Sequence, residues 1–379
     1  MGYLGEEIPK LGFGLMRLPQ IGEGGGGFFS NAPIDIEQTK QMVDIFMAAG
    51  LTYFDTARGY TGSEAAVKEA LVERYPRQSY QMATKNPAWS GPKNAEEAKQ
   101  MFYTSIETMG VDYVDYYLLH NLGAKRTKVF EDYDMWNFVI DLKKQGLVKH
   151  IGFSMHDTAE HLDEQLSLHP ETEFVQLQIN YAYWLDGNLQ SKACYDVARK
   201  HGKPVIIMEP VRGGALADPP EPVAKILKAA NPDASFVSWA MRFCYDLEDI
   251  ITVLSGSSSL EQLQENIDIY KNYQPLSQEE YQVIDQAQKA LAAIPTVPCT
   301  NCKYCLKQCP QNIEIDNIMQ ALNRGLLYGQ EDGNGCYKFA TMLSPKASDC
   351  IACGVCEDAC PQNIDIIDQL ARAVEIFED

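Results

Sequence analysis

The sequence predicts an α/β chain in two parts: a (β/α)8 barrel, then a small, mainly helical domain built around two cysteine motifs. Eight short apolar runs alternate with helix-length segments across about the first 295 residues. Eight cysteines follow in two copies of one pattern, Cys299-Thr-Asn-Cys302-Lys-Tyr-Cys305-Leu-Lys-Gln-Cys309-Pro310 and Cys350-Ile-Ala-Cys353-Gly-Val-Cys356-Glu-Asp-Ala-Cys360-Pro361. Between the two regions lies Ile294-Pro-Thr-Val-Pro298, a linker stiffened by two prolines. Domains are therefore expected over residues 1–295 and 296–379.

The strands read as Leu11–Met16, Leu51–Phe54, Tyr80–Thr84, Val114–Leu119, His150–Phe153, Phe174–Gln178, Val205–Met208 and Ile251–Leu254. Purely apolar strands with helices between them suit a parallel sheet covered on both faces. Eight such units in this length suit a TIM barrel. The intervening segments place apolar residues near the 3.6 period. Asp35 precedes the helical stretch Ile36–Ala49, and Gly50 follows as its stop. Asp157 with Glu160 reads as a capping-box start.

Barrel active sites gather at the C-terminal ends of the strands. Those ends carry Arg17, Asp55, Lys85, His120, Ser154, Gln176, Glu209 and Ser255, with Tyr60 five residues beyond Asp55. For Arg17 and Glu209, a loop cap explains the residue as well as a functional role does. Asp55, Tyr60, Lys85 and His120 make more sense as a set. A phenol has a reference pKa of roughly 10 and is a sluggish acid at neutral pH. A buried ammonium beside it lowers that value, and a carboxylate behind the ammonium keeps the lysine charged. An imidazole can hold a substrate oxygen in place. Such a group protonates a carbonyl oxygen as hydride arrives at carbon.

Over about residues 8–290 the chain resembles the aldo/keto reductase family. The resemblance is carried by Phe54-Asp55-Thr56-Ala57-Arg58-Gly59-Tyr60, Ala83-Thr84-Lys85, Tyr117-Leu118-Leu119-His120, Ile151-Gly152-Phe153-Ser154, and Ser255-Gly256-Ser257 through Glu265-Asn266. It implies that Tyr60 is the general acid, Lys85 and Asp55 its tuning pair, and His120 the substrate orienter. It also implies an extended NAD(P)(H) cofactor across the barrel mouth. Ser154 and Gln176 match carboxamide-binding positions, and Met208, Arg212, Gly213, Ser255, Gly256, Ser257, Gln262 and Asn266 fall on the remaining cofactor segments. Three departures stand out. Met155 replaces the usual Asn, Met208 replaces a ring-stacking Tyr, and Gly256 and Gln262 stand where NADPH-specific members place cations. The choice between NAD, NADP and no nicotinamide stays open. The glycine run Gly24–Gly27 lacks a following Gly-Lys-Ser/Thr and reads as a flexible segment, with a mobile lid as the lesser alternative. Trp89, Asn121, Tyr181 and Trp184 follow strand ends, where lining a pocket and packing under loops explain them equally.

The cysteine pattern resembles that of bacterial two-cluster ferredoxins. That resemblance implies one [4Fe–4S] site on Cys299, Cys302, Cys305 and Cys360, and another on Cys350, Cys353, Cys356 and Cys309. Disulfides would require an oxidising compartment. Zinc sites pair C-x2-C units without the fourth Cys and Pro seen here. Structural clusters remain an alternative to catalytic ones. Cys194 and Cys244 sit in apolar helical stretches and are expected to pack as small hydrophobes; Cys336 has no evident partner. Cys309-Pro-Gln-Asn-Ile and Cys360-Pro-Gln-Asn-Ile each lead into a helix-like stretch, which marks an internal duplication. The spacer 311–349 reads as partly helical over Ile315–Leu326. Iron–sulfur-bearing bacterial and archaeal members of the family carry such a ferredoxin-like tail.

A net charge of −20 argues against nucleic acid and anionic membranes as partners. No basic and apolar leader opens the sequence and no run has membrane-span length, so a cytoplasmic protein of low-oxygen metabolism is expected. The leading functional expectation is an oxidoreductase acting on a small-molecule carbonyl/alcohol pair, with clusters that exchange electrons with a ferredoxin-like partner. Hydride carries two electrons and each cluster passes one; a flavin or stepwise chemistry would bridge that mismatch, although no flavin motif is present. The rivals are an ordinary NAD(P)H reductase with structural clusters, a cluster-fed reductase without nicotinamide, and a non-enzymatic electron carrier.

Overall fold

The computed structural model describes residues 3–22, 32–123, 126–185, 190–328, 330–342 and 344–378. The chain forms two compact units, Met1–Val211 with Val237–Leu276, and Arg212–Phe236 with Ser277–Asp379. The glycine run Gly24–Gly27 lies outside the described residues.

The first unit is a closed barrel of eight parallel strands in sequence order. They are β1 (Leu11–Gly14), β2 (Tyr53–Asp55), β3 (Gln81–Asn86), β4 (Val114–Leu122), β5 (Val148–Met155), β6 (Phe174–Gln178), β7 (Val205–Met208) and β8 (Ile250–Ser255). All eight expected strands are present. The barrel closes where β1 pairs β8, through Leu11↔Val253 and Phe13↔Ser255. Its interior is filled by bulky side chains: Tyr53, Tyr116 and Phe174 are fully buried, and the Tyr116 ring meets both of the others edge-on at 5.2 Å between centroids. Gly152 makes room for this packing. A Cβ there would lie 2.5 Å from the Phe174 carbonyl oxygen and 2.8 Å from its ring.

The helix Ile36–Ala48 starts at Asp35, whose carboxylate accepts from Gln38 N at 2.9 Å, and Gly50 ends it with φ +79°. The helix Ala159–Leu168 corrects one expectation. Its N-cap is Thr158, whose hydroxyl accepts from His161 N, while Asp157 accepts from Thr158 N one residue earlier. Thr158 is the residue with extended backbone (φ −70°, ψ 158°), and the first orphan N–H groups lie within its reach.

The second unit is helical. Its core joins Ile313, Ile315, Ile318, Met319 and Leu322 to Ile364, Ile366 and Leu370. The spacer between the cysteine motifs forms Ile315–Tyr328 and Gln330–Ala340, longer in helix than the sequence suggested. The two helices approach closely at Gly325 and Gly333, where a Cβ on Gly333 would sit 2.8 Å from the Gly325 Cα. None of the eleven cysteines is in a disulfide. Cys194 and Cys244 are buried thiols held by the carbonyls of Asp157 and Ile179, and burial pushes the Cys194 thiol up to about 12. Cys336 packs against the core of the second unit.

Candidate active site and cluster cavities

Asp55, Lys85 and His120 come from three adjacent strands, β2, β3 and β4, and Tyr60 from the turn after β2. All four meet. Lys85 is 1% exposed, and its ammonium donates to Asp55 Oδ1, to Thr56 O at 2.8 Å and to the Tyr60 hydroxyl at 3.4 Å. Burial drives both Lys85 and Asp55 toward their neutral forms, and their pairing opposes it. The His120 ring meets the Tyr60 ring edge-on at 5.7 Å. Burial first, and then the charges of Lys85, His156 and Arg126, hold His120 far below its ordinary pKa, so the imidazole is neutral.

Sequence reasoning missed the supports of this group. Glu64 is a buried carboxylate in the first turn of the short helix Ser63–Val67. It accepts from Thr84 Oγ1 at 2.8 Å and from Arg58 at 3.1 Å, and its charge helps keep Lys85 protonated. An acid in a helix's first turn was the available signal. The β4–β5 pairing shifts register between Leu119 and Leu122, and Asn121 takes φ +62° within that irregularity. Bulges of this kind re-aim side chains beside active sites.

At the next strands, Ser154 Oγ accepts from Asn121 N at 2.8 Å, and Ser154 pairs in register with Gln176. Gln176 Nε2 points at Met208 Sδ, 3.6 Å away. Gln176 Oε1 and both polar atoms of the Asn121 amide are buried with no protein hydrogen bond. Beyond them a chain runs from His156 Nδ1 to Gln178 Oε1 at 3.0 Å and from Gln178 Nε2 to Glu209 at 2.8 Å. Burial brings His156 down to about 4.

After β8, Asn266 Nδ2 donates to Ser255 Oγ at 2.8 Å and Ser257 Oγ at 3.1 Å, which fixes the strand end. Gln262 Oε1 accepts from Ser258 N, so its side chain shapes this turn. Gly256 is exposed, and the Ser258 hydroxyl donates to Arg17 O. Trp89 donates its ring N–H to His120 O, whereas Tyr181 is fully buried and Trp184 packs on Tyr195 and Phe243. Arg212 and Gly213 belong to the second unit, at φ +52° and +63°, and line a pocket of about 200 Å³ there with Thr300, Asn301 and Gln320.

The eight motif cysteines surround two separate cavities. Cys299, Cys302, Cys305 and Cys360 line one, and Cys309, Cys350, Cys353 and Cys356 the other. Each set therefore mixes the two sequence copies. Among the described residues no group of His, Cys, Asp or Glu converges on a single metal-ion site. Four thiols around a cavity fit a cube, whose irons each take one thiolate, better than a lone ion.

Comparison with known proteins identifies both parts of the chain. The aldo/keto reductase family model matches residues 10–289, and a 4Fe-4S dicluster domain model matches residues 298–365. An aldo-keto reductase of Mycolicibacterium vanbaalenii is 30% identical over 67% of this chain and 83% of its own length. The solved structure of an aldo-keto reductase from Bacillus halodurans superposes with a TM-score of 0.60 at 22% identity, covering 76% of this chain and 95% of that one. An aldo-keto reductase from Klebsiella pneumoniae in complex with NADPH gives a TM-score of 0.55 at 18% identity, over 74% of this chain and 90% of that one. The fold and the matched barrel define an oxidoreductase. The chain belongs to the aldo/keto reductase family and carries a C-terminal 4Fe-4S dicluster domain. No helix among the described residues is long and apolar enough to cross a membrane.

Proposed function

We propose that the chain interconverts a small-molecule carbonyl and its alcohol at Tyr60, and that its clusters exchange electrons with a one-electron partner. The observation that carries this reading is the buried Lys85 ammonium, shared between Asp55 and the Tyr60 hydroxyl. In the reducing direction Tyr60 gives its proton to the carbonyl oxygen. The phenolate left behind faces the ammonium at 3.4 Å and needs no solvent to stabilise it. Asp55 holds Lys85 charged. Neutral His120 supplies an N–H donor, which orients the carbonyl oxygen without competing as an acid. Run backwards, the same groups take a proton from an alcohol.

A carboxamide offers both a donor and an acceptor, and the orphaned atoms of Asn121 and Gln176 beside Ser154 fit one. Ser154, Gln176 and Asn121 would hold the nicotinamide, which supplies hydride when bound. Asn121 would supply the amide that Met155 cannot. Gly256 and Gln262 themselves carry no charge for a 2′-phosphate, but the Arg17 side chain lies within 4.0 Å of the Cβ position at Gly256, so that end does not select NAD over NADP. Nothing in the site calls for a flavin. The two cysteine sets would hold the clusters, each of which stores and passes one electron. A second reading, structural clusters, draws support from Cys305, Cys356 and Cys360 lying within the core of the second unit.

The test is Tyr60→Phe in iron-loaded protein against a panel of aldehydes and ketones. Loss of turnover with nicotinamide binding and iron content intact supports the reading. Retained turnover sinks it. Folded, cluster-free protein with full NAD(P)H-driven turnover would favour the structural-cluster reading.

A further inference from the structure

The two halves of the cluster domain differ at a position that bears on electron affinity. Aligned on Cys309-Pro-Gln-Asn-Ile and Cys360-Pro-Gln-Asn-Ile, Asp316 falls where the second half has Ile367. Asp316 lines the cavity of Cys299, Cys302, Cys305 and Cys360, and Ile367 lines the other. Asp316 is 1% exposed, its carboxylate takes no side-chain hydrogen bond, and only the charge of Lys303 and the backbone N–H groups of Asn317 and Asp316 offset its burial. Lys303 Nζ stands off at 3.9 Å, the outer limit of an ion pair. That lysine takes the place of Gly354 in the second motif, and both residues have positive φ, +66° and +80°.

Solvent access differs in the same sense. In the first set Cys305 and Cys360 are buried and Cys299 and Cys302 half-buried. In the second set Cys356 alone is buried, Cys309 and Cys350 are half-buried, Cys353 is exposed, and its neighbour Ile351 is 59% exposed. An added electron makes a cluster more negative by one unit. A nearby buried carboxylate disfavours that change more than the partly exposed, solvent-screened Lys303 favours it, and solvent around the second set favours it there.

We propose that the cluster on Cys299, Cys302, Cys305 and Cys360 is the harder of the two to reduce, and that Asp316 sets the difference. A single electron taken from an external one-electron donor would then rest on the cluster on Cys309, Cys350, Cys353 and Cys356. The donor is oxidised by one electron and that cluster reduced by one; no bond breaks and no proton moves. Asp316 acts through its charge and ligates no iron. The assignment rests on the reading that both cysteine sets hold clusters.

The experiment is an anaerobic redox titration of full-length, iron-loaded protein, with dithionite and mediator dyes, followed by electron paramagnetic resonance. Wild type should reduce in two one-electron steps. Asp316→Asn should raise the lower step by about tenfold or more in its reduction equilibrium, about 59 mV for one electron, and leave the upper step in place. Ile367→Asp, the mirrored change, should lower the upper step. It decides the question alone if Asp316→Asn does not retain iron. The inference is overturned if both clusters load but neither variant moves its step, or if Asp316→Asn moves the upper one. Protein purified anaerobically without iron and sulfide would instead overturn the underlying cluster reading.

Discussion

Removing the Lys85 charge tests the proton-donating site most sharply, because stability and activity should part company. In Lys85→Met the Asp55 carboxylate stays buried without its cation, and breaking a buried pair in this way costs about 3–5 kcal/mol. The Tyr60 phenolate also loses its neighbour. At 3.4 Å and an effective dielectric of about 20, that attraction is about 5 kcal/mol. The whole of it would be about 10^3.6 in rate. Solvent and reorganisation recover part of it, so kcat should fall by about three orders of magnitude, within the ~10²–10⁴ range of general acid catalysis. Adding Asp55→Asn removes the stranded charge and should restore most of the lost stability. It should restore none of the activity. Chemical denaturation midpoints and steady-state carbonyl reduction, measured on the single and double variants, separate the two effects. The reasoning fails if Lys85→Met keeps more than a tenth of wild-type kcat, or if the double variant is no more stable than the single.

Tyr60→Phe should lower kcat by ~10²–10⁴ with little change in cofactor affinity, read by turnover and by fluorescence titration of the nicotinamide. Gly152→Ala should destabilise the barrel by about 1–3 kcal/mol, because its new methyl group would press on the Phe174 backbone and ring; thermal unfolding checks this. Folding lowers the His156 pKa from 6.5 to about 4, so between those values the unfolded chain binds more protons than the folded one. Its contribution is complete above pH ~6.5, declines as pH falls, and is lost below about 4, a total of about 3 kcal/mol. Denaturation midpoints between pH 7 and 4 should therefore drop less steeply in His156→Gln, and a slope equal to wild type would contradict the assignment.

The barrel was readable because its strands are buried on both faces and so appear as uninterrupted apolar runs, as in Val205–Met208. Asp55, Lys85 and His120 were readable because each lies at or within two residues of the end of its strand, although they step two residues along in register from β2 to β3 and from β3 to β4. The cysteine sets were legible because ligand spacing is local, although the crossing of Cys309 and Cys360 to the opposite cavity depends on tertiary structure. What the sequence hid were features created by irregular backbone and by through-space contact. The bulge that turns Asn121 to positive φ leaves no periodic mark. Glu64 and the His156–Gln178–Glu209 chain are ordinary polar residues until three strand ends bring them together. The N-cap slipped by one residue because Asp157 and Thr158 are both good caps, and only backbone dihedrals distinguish them. In sequence Asp316 is one more first-turn helix acid; its burial beside four cysteines arises only in the folded chain.

The central claim is that the Tyr60 site and the clusters serve one redox reaction. It is tested most directly by reducing the clusters anaerobically, removing excess reductant, mixing with carbonyl substrate and oxidised nicotinamide, so that the two electrons a carbonyl takes up come from the two clusters, one each, and following the cluster resonance by rapid freeze-quench. The account predicts that the reduced signal disappears in wild type at the rate of turnover, and that it persists in Tyr60→Phe. A signal that stays reduced in wild type as it does in Tyr60→Phe, while reduced nicotinamide added alone drives the carbonyl to alcohol, would contradict it.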